Sequence, residues 1–108
     1  MAEDAAGGLV GYLVCRVEGK VVWAECLYVR PEFRRQGIAS SLYAQAERVA
    51  EERGGTTLFN WVHPDNLAVI RFLKKRGYNV LNLIELRRRV RGEETTKTIR
   101  VGNEEFDY

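Results

Sequence analysis

Arg34, Arg35, Gln36 and Gly37, followed by Ile38, Ala39 and Ser40, set two guanidiniums, a carboxamide and a glycine between an apolar run and an amphipathic one. A helix whose first turn opens at a glycine presents free backbone N-H groups and the positive end of its dipole, which together hold an anion. Gly37 has no Cβ, so the backbone there approaches a ligand closely. Ala39 keeps the first turn free of bulk, and arginine is the cationic side chain best shaped for phosphate. The segment predicts a cradle of the size and charge of a diphosphate.

The two common nucleotide motifs do not fit. A P-loop needs lysine and then serine or threonine directly after its last glycine, and Gly37 is followed by Ile38 and Ala39. A dinucleotide fingerprint needs three glycines in G-x-G-x-x-G, and this stretch holds one.

The elements that must hold the cradle read plainly. "LVGYLVCRV" and "VVWAECLYV" are β-branched and aromatic, and Glu18-Gly19-Lys20 between them supplies a tight turn, so two antiparallel strands are expected over 9–17 and 21–29. Pro31 ends the second. From Gly37 the period changes, with Ile38, Leu42, Ala46 and Val49 on one helical face, and Arg53-Gly54-Gly55 closes that helix. "TTLFNWV" predicts a third strand; Asp65 or Asn66 caps a second helix with Val69, Ile70, Phe72 and Leu73 as its apolar set, closed at Gly77. "YNVLNLIELRRRV" predicts a fourth strand, and 98–101 a further short one. The fold class expected is α+β, a mixed α/β layer in which helices cover a twisted sheet, with right-handed crossovers. The 108 residues predict a single domain, with 1–7 a flexible leader and 92–108 a C-terminal extension.

Arg34-x-x-Gly37-x-Ala39 resembles the R/Q-x-x-G-x-G/A signature of the GNAT acetyltransferase superfamily. It follows "LYVRPEFR", a form of words typical of that family, and "NLAVIRFLKKRGY" resembles the family's second motif of asparagine, helix, glycine and aromatic. The resemblance runs from about Gly8 to Val90. It implies a truncated GNAT-like fold lacking the usual N-terminal strand and helices, and acetyl-CoA as co-substrate. By the same resemblance Leu27, Tyr28 and Val29 hold the pantetheine arm like an added strand. Arg34, Arg35, Gln36, Gly37, Ile38, Ala39 and Ser40 take the diphosphate, and Asn66 touches the pantetheine or adenosine side. The phosphate predicted from the opening segment is then that of coenzyme A.

The implied chemistry is direct attack of a neutral amine on the thioester, with the oxyanion held by a strand N-H. The acceptor expected is a protein N-terminal or small-molecule amine, because an α-amine near pKa 8 needs less help than a lysine. Two usual catalytic positions are blank: Leu73 stands where many members carry a tyrosine acid, and Trp61 where N-terminal acetyltransferases carry a glutamate. Glu25, His63 and Tyr78 are the candidate catalytic substitutes. The alternative is a catalytically weak or inactive acyl-CoA-binding domain that needs a partner subunit. A bare sheet edge predicts a homodimer.

Composition narrows the rest. With 45% hydrophobic and 30% charged residues the chain reads as globular. Cys15 and Cys26 lack metal-ligand spacing and fall out of hairpin register, so both are expected as buried thiols and no metal is expected. No leader of signal type and no apolar run of membrane length predict a cytoplasmic protein without a membrane partner. The basic run Arg87, Arg88, Arg89 and Arg91 is the one feature favouring nucleic acid, and a net charge of +2 argues against it.

Overall fold

The computed structural model describes residues 2–3, 8–55 and 57–108. The chain divides into two compact units, Met1–Val62 and His63–Tyr108.

The first unit is a four-stranded sheet of order β1-β2-β3-β4 with a helix on one face. Strands β2 (Leu9–Glu18) and β3 (Val21–Val29) form the expected hairpin across Gly19 and Lys20, with Gly19 at φ +58°. Within the segment expected as a leader, β1 (Ala2–Glu3) pairs antiparallel with β2. The rest of that segment lies outside the described residues. A 3-10 turn at Pro31–Phe33 leads to α1 (Ile38–Glu52), and the chain then returns as β4 (Leu58–Asn60), parallel to β3. This β3-α1-β4 crossover is the frame on which the opening motif sits. β4 is shorter than the expected third strand, whose Thr56 lies outside the described residues.

The core is one-sided: Val10, Val22, Ala24, Val29 and Leu58 of the sheet are buried, as are Leu42, Tyr43, Ala46 and Ala50 of α1. Val49, expected on the apolar face, is 40% exposed, because the stripe that packs runs through Tyr43 and Ala50 instead. Tyr43 donates its hydroxyl to Oδ1 of Asn60 at 2.9 Å and so ties α1 to β4. Tyr43→Phe is expected to cost about 1 kcal/mol in a denaturant melt, the usual net worth of one such bond. An unchanged midpoint would show that the hydroxyl is replaced by water. After Arg53, the N-H groups of Gly54 and Gly55 return to the carbonyls of Glu51 and Ala50, and Gly54 takes φ +79°. That closure is the reason the sequence places two glycines there.

The second unit holds α2 (Leu67–Lys75) and a hairpin of β5 (Thr98–Val101) with β6 (Glu104–Asp107). Asn66 is the cap: its side-chain oxygen accepts from the N-H of Val69 at 3.3 Å. Gly77, at φ +97°, and Tyr78 close α2 through the carbonyls of Lys74 and Leu73.

The expected strand over 78–90 is a correction. Residues 79–90 form neither helix nor ladder and are exposed throughout, with Val80, Leu81 and Leu83 at 86%, 75% and 79%. β-propensity is a fit to a neighbouring strand rather than a property of the segment, and no ladder is made to it among the described residues. What fixes its end is a side-chain clasp: Arg87 pairs with the carboxylate of Glu93, which also accepts from the N-H of Val90 at 2.8 Å. These contacts hold the Glu93 carboxyl down to about 2.

The thiols are a second correction. Cys15 is half-buried and Cys26 exposed, because a register shift in the hairpin turns Cys26 away from α1. Partial burial, with help from the Glu25 carboxylate, raises the Cys15 thiol.

Candidate functional site

The hairpin register carries the site. From Glu18↔Val21 to Cys15↔Ala24 the pairs run in step, and then Val14 pairs with Cys26, so Glu25 is an extra residue on β3. A bulge of this kind reverses which face each later residue meets. The burial of β3 shows the reversal: Val22 and Ala24 are buried before it, Val29 after it.

The parallel ladder to β4 runs over Val22, Trp23 and Ala24. It is extended by the N-H of Trp61, which donates to the carbonyl of Ala24 at 3.0 Å. Beyond Ala24, β3 continues through Glu25, Cys26, Leu27, Tyr28 and Val29 without a ladder on that edge among the described residues. Leu27 is half-buried and Tyr28 half-exposed, its ring 5.5 Å from that of Tyr12. Val29 is buried, and its carbonyl accepts from Arg34 Nε at 2.9 Å. Arg34 therefore anchors the loop to the end of β3 through one nitrogen.

At the start of α1 the backbone turns through two residues of positive φ, Arg35 and Gly37. Gly37 is the N-cap at φ +80°, without a side-chain cap bond, and the first intrahelical donor is the N-H of Ser41 to the Gly37 carbonyl at 3.0 Å. The N-H groups of Ile38, Ala39 and Ser40 thus head the helix. A Cβ at Gly37 would meet nothing within 4 Å, so the glycine is required by backbone conformation rather than by crowding from the protein itself. Arg35 also takes a positive φ, +64°, uncommon for a side chain of its size. Gln36 donates to the carbonyl of Glu32 at 3.3 Å.

On the sheet face opposite α1, Arg16, Trp23, Glu25 and Trp61 meet. Arg16 Nε lies 3.2 Å from Glu25 Oε1, and its guanidinium carbon lies 4.7 Å and 4.5 Å from the ring centres of Trp23 and Trp61. Glu25 is the half-buried carboxylate at the point where β3 leaves β4. Sequence reasoning singled out Glu25 and missed Arg16. The signal was present: a two-residue turn at Gly19-Lys20 sets Arg16 directly opposite Trp23.

The other candidates lie in the second unit. His63 Nδ1 is 2.9 Å from the hydroxyl of Tyr108, which also donates to Asp65 at 3.2 Å. Asp65 was singled out only as a possible helix cap and Tyr108 not at all, and nothing in local spacing links 63 with 108. Tyr78 contributes its N-H to closing α2. Asn66, expected on the cofactor, has its side-chain oxygen engaged as the cap of α2. Leu73, at the family's tyrosine position, is buried. Of the basic run, Arg87 is paired with Glu93 and Arg89 with Asp107 at 2.5 Å, which leaves fewer cations for a nucleic acid. Among the described residues no group of acidic, histidine or cysteine side chains forms a metal centre, and no helix is long and apolar enough to cross a membrane.

The acetyltransferase (GNAT) family matches residues 1–78. An acetyltransferase of Pectobacterium atrosepticum is 31% identical over 90 residues, 83% of this chain and 64% of the relative. N-alpha-acetyltransferase 20 of Dictyostelium discoideum is 33% identical over 89 residues, 78% of this chain and 51% of the relative. The chain therefore spans between about half and two thirds of the length of these relatives. Among solved structures, Naa20 of Chaetomium thermophilum in complex with a bisubstrate analogue superposes with a TM-score of 0.66 at 27% identity, over 70% of this chain and 47% of that one. AAC(6')-Iy in complex with a coenzyme A bisubstrate analogue gives 0.66 at 25%, over 81% and 66%. The family match over 1–78, more than half of the chain, together with these likenesses in sequence and fold, shows that the chain belongs to the GNAT acetyltransferase family.

Proposed function

We propose that this chain binds acetyl-CoA and transfers its acetyl group to an amine, a peptide N-terminus or a small-molecule amine. The observation that carries this is the pairing of two features on one crossover: β3 parts from β4 at the Glu25 bulge, and the next element opens at Gly37 with free amides. The open edge at Leu27–Val29 offers donors and acceptors to the amide groups of a pantetheine arm, and the amides at Ile38–Ser40 with Arg35 and Gln36 receive the diphosphate.

In the reaction the amine nitrogen forms a bond to the acetyl carbon and the carbon-sulfur bond breaks. A β3 backbone N-H holds the oxyanion. Glu25 takes the amine's proton, directly or through one water, and the departing thiolate gains a proton from solvent. No group on this chain need be acylated. Likeness to an N-terminal acetyltransferase and to an aminoglycoside enzyme supports amine acceptors of both kinds.

The buried Leu73 and the indole at Trp61 favour a second reading, an acyl-CoA-holding domain whose chemistry is completed by a partner subunit. Self-association is the simplest such completion: the exposed apolar residues Val80, Leu81, Leu83, Ile84 and Leu86 support a homodimer, which light scattering at rising concentration tests. The free thiols accord with the expected cytoplasmic setting.

Calorimetric titration with acetyl-CoA, then thiol release over a panel of peptides and small amines, tests both readings. Binding with release supports the transferase. Binding without release across the panel favours the partner-dependent form, and absence of binding overturns both.

A further inference from the structure

We infer that Arg16, on the strand beside the bulge, is the positioning residue for Glu25: seated in the corner of two indoles, it fixes the carboxylate where β3 leaves β4. The inference rests on the reading of Glu25 as the proton acceptor.

An exposed arginine-carboxylate pair is ordinarily worth little, because two long side chains must be immobilised to make it. Here the immobilisation is done by other contacts. Trp23 stands directly across the hairpin from Arg16 in register, and its ring lies 4.7 Å from the guanidinium carbon. Trp61 flanks an adjoining side at 4.5 Å, and the two indoles, 6.2 Å apart centre to centre and tilted by 47°, form a corner in which the guanidinium sits. Phe59, paired with Trp23 across the parallel ladder, backs the stack at 6.3 Å. A guanidinium over aromatic faces gains both stacking and cation attraction, and its planar fork then has a set direction.

That direction is tied to the backbone at the bulge. The N-H of Trp61 is bonded to the carbonyl of Ala24, the residue immediately before Glu25. The indole wall, the last rung of the ladder and the bulge therefore move together. Arg16 Nε meets Glu25 Oε1 at 3.2 Å, and Nη1 reaches Glu18 at a looser 3.6 Å. The near carboxylate oxygen is thereby occupied, which leaves the second oxygen of Glu25 to accept a proton. Cys15, on the same strand as Arg16, has its thiol raised by burial and by Glu25, so it stays neutral and adds no charge to the pair. A bulge residue without such a clamp samples several rotamers, and a base must lie within hydrogen-bond reach of its proton.

A double-mutant cycle on the full chain tests this, with acetyl transfer to the best amine of the panel as the rate and acetyl-CoA calorimetry as the control. Arg16→Gln is expected to lower kcat about tenfold with the affinity for acetyl-CoA within about twofold, and to cost under about twofold when Glu25 is already glutamine. Arg16→Lys, which keeps a cation over the indoles, is expected to fall between, and it carries the test if the glutamine variant does not fold. Equal losses in both backgrounds would make Arg16 a structural residue and overturn the inference. So would an unchanged kcat in Arg16→Gln. If Glu25→Gln alone leaves kcat unchanged, the reading of Glu25 as base fails and this inference falls with it, while acetyl-CoA binding at Gly37 stands. A chain that binds acetyl-CoA and turns over no amine overturns the inference and leaves the partner-dependent reading.

Discussion

Gly37→Glu is expected to abolish measurable acetyl-CoA binding while the β2-β3 hairpin and α1 remain folded. Two effects act together. The position is held at φ +80°, and a non-glycine residue there costs about 1–2 kcal/mol of backbone strain. The new carboxylate also stands at the head of α1, where the amides of Ile38, Ala39 and Ser40 would meet the diphosphate, and like charge is placed against the ligand. Gly37→Ala separates the two. A Cβ at this position meets no protein atom within 4 Å, so alanine carries the strain without the charge. It is expected to weaken binding about tenfold, the equivalent of the strain alone. Calorimetry on both variants, with circular dichroism as the folding control, checks the outcome. Full affinity in Gly37→Glu would move the diphosphate elsewhere on the molecule.

Glu25→Gln is expected to lower kcat for amine acetylation about a hundredfold, the lower end of what a positioned proton acceptor contributes, with little change in the KM for acetyl-CoA. Glutamine keeps an oxygen to accept from Arg16 Nε, so the pair loses its charge but not its hydrogen bond. The deficit has a direction in pH. An α-amine loses its proton to solvent as pH rises through about 8, so the need for Glu25 shrinks above that value and the variant recovers relative to the parent. A deficit independent of pH would point to a structural role for the bulge. No deficit would remove Glu25 from the chemistry.

The sequence alone determined the local parts, because each rests on a residue type acting over a few positions. Gly19 sets the hairpin turn, Pro31 ends β3, and Gly37 opens α1. Arg53-Gly54-Gly55 and Arg76-Gly77-Tyr78 close the two helices through the same pair of returning N-H groups. The glycine-headed start of α1, where we propose the diphosphate binds, was legible for the same reason: a helix N-terminus is a local object, and its glycine, alanine and arginines lie together in the chain.

Tertiary structure decided what depends on a neighbour. Residues 79–90 have strand composition, but among the described residues no ladder is made to them, and propensity does not supply a partner. Val49 and Tyr43 exchanged places at the core because the sheet, not the helical period alone, chooses the stripe that is covered. Cys26 and Tyr28 turned outward because one extra residue, Glu25, reversed the faces of β3, and a bulge of one residue leaves no mark in a run such as "VVWAECLYV". The bulge also made the site. It ended the ladder to β4 at Ala24, opened the edge of β3, and set Glu25 beside an arginine nine residues earlier that itself rests on the indole of Trp61, just past β4. Contacts of that range follow from how strands are paired, which only the folded sheet specifies.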